Sequence, residues 1–551
     1  MKIKLTNKMI IILLLFFSFI PLVDLFHSGL PITHDGQDHV ARIANFYKNL
    51  EEGVIIPRWA AQLNWGYGHP ILMFLYPFPS YMASIFHLFN FSFVDSTKLV
   101  FGVSYVLSAL TMLLWLQSFL KKEEALLGSI LYIYAPYRFI DLYVRGAIGE
   151  HVAFIFPPLI LYFVYQIAKR YSYWNVIGSS LAFAGLLLSH NAISLMFIPL
   201  ILLYMIFNVQ QVKVHKKLIL YQYMSLFVLG FGLAAFFLLP AFLEGKYTLR
   251  DIVTKNEYAS RFVNFGQFLY GAWNYRGSGQ FTLQLGIVHW LLTIGSVTVL
   301  FVSKKKDKQR SVMILTLLGI FIFSLFLMTS ASLFIWQKIT LLQKFQFPWR
   351  LLSVVTFITA TMGALVVSQI PQKYKKMVIP VFLILLVFLS KDYWHANGYL
   401  QNPESFFTNV YNGTTDTGES APIWSVRFME HQPKAHLEAI DGKSSIQEHQ
   451  RTSTNHSYEI NVQNKKTRLV ENTLYFPGWR VFVDGVQVPL QFQDARYRGL
   501  MTFFVEEGSH QVLVQFSETM LRLLSNWISI LSLVSLGIYT ILSYRRTKNN
   551  S

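Results

Sequence analysis

The sequence predicts a mostly α-helical polytopic membrane protein with a β-rich domain near its C-terminus. Of its 551 residues, 53% are hydrophobic and 14% are charged, and the mean hydropathy of +0.40 lies beyond the usual balance of a soluble domain. The apolar residues form long runs, and lysines and arginines gather in short blocks between them. From about residue 392 the pattern changes to the alternation that is typical of β-strands.

About twelve apolar runs approach the length that a membrane span needs, which is about 20 residues. They lie near residues 9–26, 96–119, 124–140, 152–168, 174–189, 192–208, 218–240, 283–302, 312–331, 350–369, 377–391 and 521–543. The basic blocks between them, such as 121–122 and 304–306, share one side if the N-terminus is inside and the proline-containing stretch 71–92 does not cross. We therefore expect a plasma-membrane protein with both termini in the cytoplasm and an outer loop at residues 27–95.

The charge and the cysteine count exclude two classes of function. The net charge of +18 does not indicate nucleic-acid binding, because the positive residues form the short loops that face the cytoplasm in membrane proteins. The chain has no cysteine, so neither a disulfide framework nor thiolate chemistry is available to it. The expected surroundings are membrane lipids.

Three parts follow from the change in pattern along the chain. Residues 1–391 form the predicted transmembrane domain, residues 392–518 an extracytoplasmic β-rich domain, and residues 519–551 a final span with a basic cytoplasmic tail. In the second part, period-two runs are joined at Asp484-Gly485, which is a typical hairpin turn. The pattern predicts a β-sandwich.

A charged segment follows directly after the first predicted span. It contains His34, Asp35, Asp38, His39 and Arg42. These groups are costly in hydrocarbon, so they must face water, a ligand or one another. The helical spacing that follows makes either Asp35 or Asp38 the start of a short helix, where aspartate is a favoured cap. Since only one of the two carboxylates can cap that helix, the other is available for chemistry.

Further polar clusters fall on the same predicted outer side. One loop carries Asp141, Arg145 and Glu150, a turn carries His190 and Asn191, and an aromatic segment ends in Arg350. Structural explanations remain open at each place. Arg145 could form a local ion pair with Asp141 or Glu150, the turn could be an ordinary connection between helices, and Arg350 could hold a lipid phosphate.

Taken together, these motifs resemble a bacterial membrane-protein family labelled 6-pyruvoyl-tetrahydropterin synthase-related. The motifs are His34-Asp35 with His39 and Arg42, Pro57-Arg58-Trp59 with Gly66-Tyr67-Gly68, Ala135-Pro136-Tyr137-Arg138 with Asp141 to Glu150, Leu188 to Asn191, and Phe347 to Arg350. The segment Tyr475 to Gly485 is similar to one in the related YfhO-like proteins. The label does not describe chemistry, because the sequence lacks the zinc-spaced histidines of a pterin synthase. The resemblance implies a GT-C fold, the multispan architecture of glycosyltransferases that use polyprenyl-phosphate sugars.

The resemblance also implies roles for the charged residues. In GT-C enzymes an acidic residue in the first outer loop and a second short outer loop carry catalysis, which matches Asp35 and the segment Arg145 to Glu150. We expect Asp35 to be the base, with Asp38 or Glu150 orienting it or sharing a divalent cation, Mg²⁺ or Mn²⁺. The candidates for holding the donor phosphate are Arg145, Arg350, Arg58 and, more weakly, Lys246.

The expected function is transfer of a sugar from a polyprenyl-phosphate donor to an envelope glycopolymer or glycolipid acceptor outside the cell. Two alternatives stay open: a transporter or flippase for a lipid-linked precursor, and a non-catalytic assembly protein whose outer domain binds glycan. The predicted spans are apolar and the charges gather at one face. This favours chemistry at the membrane surface over transport through the bundle.

Overall fold

Long helices form most of the chain, which a computed structural model describes at residues 6–170, 172–277, 280–302 and 308–549. Eight of the described helices are long and apolar enough to cross a membrane. They are Asn7–Phe26, Phe93–Leu116, Ile148–Lys169, Asn191–Gln211, Lys216–Tyr247, Lys308–Met328, Pro348–Gln369 and Met520–Ile541. The composition-based prediction of a multispan membrane protein agrees with this fold.

The count of eight candidate spans replaces the expected twelve, because four predicted runs form shorter or more charged helices. Lys122–Ile133 has 12 residues, Tyr173–Ser189 has 17 and Ile287–Val302 has 16. Gln372–Ser390 has 19 residues but carries lysines near its start. Counting apolar residues in a run misses where the helix stops: the first of these helices ends before Pro136, which begins a separate turn.

The stretch 71–92, which we expected not to cross, contains no described helix of spanning length. It forms two short helices, Ile71–Phe74 and Phe78–Leu88, of 4 and 11 residues. A helix of the second length covers about 16 Å, roughly half of the hydrocarbon core. The hydroxyl of Tyr81 donates to the carbonyl of Ile55 at 2.7 Å, which holds the longer helix against the preceding loop.

The basic loops lie at one end of the helix bundle. Lys375 bonds to Glu124, and Lys121 donates to Gln372 at 3.3 Å, so the loops after two different helices meet there. The lysine block 304–306, residues 1–5 and the last two residues of the chain lie outside the described residues. The charged loops that contain the candidate site come together at the opposite end, as the contacts below show.

Six antiparallel strands form one sheet in the C-terminal part. They are Leu437–Asp441, Ser444–Arg451, Asn455–Leu474, Trp479–Val483, Val486–Val488 and Leu500–Phe516. The two longest strands pair along most of their length. The predicted hairpin at Asp484-Gly485 is confirmed, because both residues have positive φ and Val483 pairs with Val486.

The predicted β-sandwich of two sheets is wrong, because the six strands in the described residues belong to one curled sheet. The strand Asn455–Leu474 bends so far that His456 and Tyr458 near its start bond to Glu471 near its end, and the two halves of the sheet face each other. The core inside the curl consists mainly of residues of the sheet, and Trp59, Phe74 and Phe237 of the transmembrane part belong to the same buried cluster. The rings of Trp59 and Trp479 lie 5.4 Å apart in an edge-to-face contact. Alternating residues predict that a strand has one buried face, but they do not identify what covers that face.

Candidate functional site

Asp35 occupies the N-cap position of the helix Gly36–Glu51, yet its side chain makes no capping hydrogen bond. The backbone N–H groups of His34 and Asp35 donate to the carbonyls of Val144 and Arg145 at 3.0 and 2.9 Å. The side chain of Asp35 is exposed, and no described residue donates a hydrogen bond to its carboxylate. The backbone is therefore fixed while the carboxylate stays available to a ligand.

The surroundings of Asp35 favour its protonated form. Desolvation by the neighbouring protein groups and the charge of Asp38 raise the pKa of Asp35 above its usual value, although the charge of Arg145 opposes the shift. A base is most effective when its pKa lies near the working pH. The shift therefore goes in the direction that suits proton transfer.

Asp38 lies in the first turn of the same helix and is not its cap, which settles the alternative that the sequence left open. Its carboxylate accepts a hydrogen bond from the hydroxyl of Tyr411 at 3.0 Å. Burial raises the pKa of Asp38, while Arg42 and the Tyr411 hydrogen bond oppose the shift. Of the two neighbouring carboxylates, Asp38 accepts a hydrogen bond from a side chain, and Asp35 accepts none from the residues that the structure describes.

His39 and Arg42 hold a segment from the C-terminal part against this helix. Arg42 donates to the Thr415 hydroxyl at 3.3 Å and to the Thr415 carbonyl, and its third nitrogen lies 2.9 Å from Nδ1 of His39. Burial and the Arg42 charge lower the pKa of His39, so its neutral ring accepts this contact. We name residues 411–420 the strap, because they lie over the start of the helix that carries the aspartates.

Sequence reasoning missed the strap. It supplies Tyr411 and Thr415, and its Asp416 accepts backbone N–H groups of Gly418 and Ser420 at 2.8 and 3.0 Å. The signal was a short run rich in threonine, glycine and acids, which has no periodicity. Such a run predicts a structured turn, but it does not predict which distant loop the turn will contact.

Glu150 is the centre of a buried ion-pair network. Its Oε1 accepts from Arg145 at 2.8 Å and from Arg350 at 2.9 Å, and its Oε2 accepts from the Tyr137 hydroxyl at 2.8 Å. Arg145 also donates to Asp141 at 2.6 Å. The local ion pair that the sequence left open is therefore present, and the structure adds Arg350 from 200 residues away.

Two parallel aromatic rings support the guanidinium groups. Phe347 and Trp349 stack with ring centroids 5.0 Å apart, Arg145 lies over Trp349 at 4.6 Å, and Arg350 lies over Phe347 at 4.7 Å. A second nitrogen of Arg350, Nη1, donates a hydrogen bond to the carbonyl of Phe345 at 2.9 Å. Its remaining terminal nitrogen, Nη2, has no hydrogen-bond partner among the described residues, so this nitrogen can donate to a ligand.

His190 and Asn191 form a turn that connects two helices, which is the structural alternative that the sequence left open. His190 caps the helix Asn191–Gln211 by accepting the Ile193 N–H at Nδ1, 3.3 Å away, and its Nε2 lies 3.8 Å from Glu150. Burial lowers the pKa of His190 to about 3 in spite of the Glu150 charge. The ring is therefore neutral at physiological pH and directs its N–H toward the network.

Arg58 and Lys246 lie apart from these groups. Arg58 donates to Glu518 at 2.7 Å and to Asn526 at 2.9 Å, so its charge joins the first loop to the last helix. Lys246 is exposed and lies 5.0 Å from the ring of Tyr247. The structure does not bring either residue to Asp35 or Arg350.

The expected ligand set of Asp35, Asp38 and Glu150 is not assembled as one group in the described residues. Across the described ranges, no group of three or more His, Asp or Glu side chains is arranged to hold an ion. Both oxygens of Glu150 accept hydrogen bonds from Arg145, Arg350 and Tyr137, so Glu150 cannot join Asp35 and Asp38 as a third ligand. We assign no step to Mg²⁺ or Mn²⁺.

Two kinds of similarity were found among known proteins. An uncharacterized protein of Lactococcus lactis subsp. cremoris (strain MG1363) is 25% identical over 224 residues, which cover 39% of this chain and 36% of that relative. The fold is remotely similar to the oligosaccharyltransferase of Archaeoglobus fulgidus, with a TM-score of 0.45, 13% identity, and coverage of 75% of this chain and 60% of that one. It is also similar to arabinofuranosyltransferase AftD from Mycobacteria, with a TM-score of 0.46, 10% identity, and coverage of 73% and 28%.

The family comparison covers a longer part of the chain. The family described as "6-pyruvoyl-tetrahydropterin synthase related domain; membrane protein" matches residues 72–397, which is more than half of the 551 residues. This range contains the Arg145, Glu150 and Arg350 network, whereas Asp35 and the strap lie outside it. The chain belongs to the 6-pyruvoyl-tetrahydropterin synthase related family of membrane proteins.

Proposed function

We propose that the chain is an integral membrane glycosyltransferase that moves a sugar from a polyprenyl-phosphate donor to an envelope glycopolymer or glycolipid. The observation that carries the proposal is the carboxylate of Asp35, which has no hydrogen-bond partner among the described residues and stands beside the Arg145–Glu150–Arg350 network. Sugar transfer from a lipid phosphate needs a base for the acceptor and positive charge for the departing phosphate. Both are present here within one site.

In the proposed reaction, Asp35 takes the proton of an acceptor hydroxyl while that oxygen attacks the anomeric carbon. The bond between this carbon and the phosphate oxygen breaks, and the lipid phosphate leaves with the electron pair. A single displacement of this kind inverts the anomeric carbon. The proton ends on Asp35, and the new negative charge ends on the phosphate.

The two arginines contribute differently to phosphate binding. Arg145 is committed to Asp141 and Glu150, so it acts through its charge and by fixing the network. Arg350 shares Glu150 but keeps one terminal nitrogen without a partner in the described chain, so it can donate a charge-assisted hydrogen bond directly. In the resting network two carboxylates balance two guanidinium groups, and Arg350 is the member that can turn toward a new anion.

The orientation of this site toward the outside of the cell is part of the proposal. The basic loops gather at the opposite end of the bundle from Asp35, as they do on the cytoplasmic side of membrane proteins. Alkaline phosphatase fused after Lys443 should therefore be active, and a fusion after Lys306 should be inactive. The reverse pattern would place the site in the cytoplasm and contradict an extracytoplasmic acceptor.

The test of the proposed reaction uses purified protein in lipid nanodiscs, radiolabelled polyprenyl-phosphate sugars and an envelope extract. Wild-type protein should move label into polymer or glycolipid. Asp35→Asn should bind donor and lose about 10²- to 10⁴-fold in transfer, because an amide is similar in size but cannot act as the base. Asp392→Asn, a change of another exposed aspartate, should transfer normally.

The same preparation separates transfer from transport. In proteoliposomes, a flippase would move the labelled lipid across the bilayer with its sugar still attached. It would transfer no label to an acceptor, either as wild-type protein or as Asp35→Asn. Near-normal transfer by Asp35→Asn would show that Asp35 is not the base of the reaction. Absence of transfer by wild-type protein with every donor would contradict the enzyme proposal.

A further inference from the structure

A cavity of about 330 Å³ lies against the aromatic support of the arginine network. Its wall includes Ser260, Arg261, Asn264, Gln267, Gln280 and Trp349. The volume lies at the lower end of the range for small-molecule sites, roughly 300 to 1,000 Å³. It therefore suits a ligand of the size of one sugar ring.

Trp349 connects this cavity to the proposed site. The indole lines the cavity and lies 4.6 Å below the guanidinium of Arg145. On another side it contacts the ring of Phe281 at 5.2 Å, and Phe281 lies 6.0 Å from the ring of His34. The ring of Trp349 thus separates a ligand in the cavity from Arg145. The rings of Trp349 and Phe281 separate it from His34, in the segment that carries Asp35.

Three neutral donors of the wall, on Trp349, Asn264 and Gln267, suit a ligand with several oxygen acceptors. Trp349 is 1% exposed, and its Nε1 has no hydrogen-bond partner in the described part of the chain, although buried indole N–H groups usually have one. Asn264 and Gln267 form a capping box in which their side-chain oxygens accept each other's backbone N–H groups. This arrangement fixes both amides and leaves their NH₂ groups available as donors.

We propose that this cavity binds one monosaccharide unit, with a sugar oxygen accepting the N–H of Trp349. The assignment of that sugar to the transfer reaction rests on the proposed function, but its binding does not. The unit belongs either to the donor or to the acceptor, since both carry the same hydroxyl chemistry. The experiment therefore has one arm for binding and one arm for each source.

The binding arm uses the purified full chain and saturation-transfer NMR with methyl glycosides of glucose, galactose, mannose, N-acetylglucosamine and arabinofuranose. At least one glycoside should bind wild-type protein. Ser260→Trp, which places a large ring at the exposed rim of the cavity, should weaken that binding by about tenfold or more. Ala259→Trp adds the same ring to the neighbouring exposed residue, which does not line the cavity, and should bind as wild type.

A second variant tests the unpaired indole. Trp349→Phe keeps an aromatic ring near Arg145 but removes the N–H, so a glycoside that uses this donor should bind about tenfold more weakly. Failure of all the glycosides to bind wild-type protein would overturn the proposal. Equal binding by wild-type protein and Ser260→Trp would also overturn it, because the sugar would then lie elsewhere.

The source arms use the transfer assay. Ser260→Trp should raise KM for the polyprenyl-phosphate sugar if the cavity holds the donor sugar, and KM for the acceptor if it holds the acceptor. Loss of glycoside binding with both KM values unchanged would overturn a role in transfer. Glycoside binding in a protein that transfers no label would contradict the proposed enzyme while leaving the sugar site in place, so the two failures can be told apart.

Discussion

Replacing Glu150 with glutamine should destabilise the protein, because one buried carboxylate holds two guanidinium groups. Glu150 is 1% exposed, and it accepts from Arg145 at 2.8 Å, Arg350 at 2.9 Å and Tyr137 at 2.8 Å. Glutamine keeps the shape of the side chain but removes its charge. The network would change from two positive and two negative groups to two positive groups and one negative group.

The size of the effect follows from what each arginine retains. Removing one partner of a buried ion pair typically costs about 3–5 kcal/mol. Arg145 keeps Asp141 at 2.6 Å, whereas Arg350 keeps only neutral acceptors and its side chain is 12% exposed. Because one arginine stays paired and the other has some access to solvent, we expect a loss near the lower end, about 3 kcal/mol.

Thermal unfolding in lipid nanodiscs, followed by tryptophan fluorescence, measures this change. Glu150→Gln should melt at a clearly lower temperature than wild type, while Glu507→Gln, a change of an exposed glutamate in the sheet, should melt as wild type does. Equal melting of wild-type protein and Glu150→Gln would refute the reasoning, because it would mean that Glu150 does not hold the two arginines together.

Three further changes test other parts of the structure. Asp38→Asn removes a negative charge that raises the pKa of Asp35, so that pKa should fall and the acidic limb of the kcat/KM profile should move to lower pH; an unchanged profile would contradict the coupling. Tyr411→Phe removes the hydrogen bond to Asp38 and should cost about 1–3 kcal/mol of stability, whereas Tyr270→Phe, at a strongly exposed position, should be neutral in thermal melts. Trp479→Ala leaves a space in the apolar core between the sheet and Trp59, so it should cost about 3–5 kcal/mol; an unchanged melting temperature would argue against this packing.

The parts of the fold that were predictable depend on local patterns. Apolar runs and basic loops are read one segment at a time, and together they indicated that the segment after the first helix, the loop 137–151 and Arg350 share one end of the bundle. The contact of Arg350 with Glu150 agrees with that expectation. The span count was less reliable, because an apolar run such as 124–140 contains both a helix and the turns after Ile133.

Contacts between distant segments could not be predicted in the same way. The strap reaches Asp38 across 373 residues and has neither helical nor strand periodicity to indicate a partner. One sheet curls on itself and adds Trp59 and Phe74 to its core, where two separate sheets were expected, and alternation along a strand is the same in both cases. Both differences concern which surfaces meet, and a single segment carries little information about that.

The three acidic residues that the sequence proposed for catalysis differ in what holds them. Glu150 accepts hydrogen bonds from two arginines and a tyrosine, and Asp38 accepts one from Tyr411. Hydrogen bonds to the ionised form of a carboxyl group stabilise that form, so each of these two contacts makes its carboxylate a weaker proton acceptor. Asp35 alone has no such contact within the described residues, and its N-cap position, bonded through the backbone to Val144 and Arg145, keeps the free carboxylate next to the arginines. We therefore propose this division of labour: Glu150 positions the arginines, Asp38 joins the strap to the helix and raises the pKa of its neighbour, and Asp35 acts as the base.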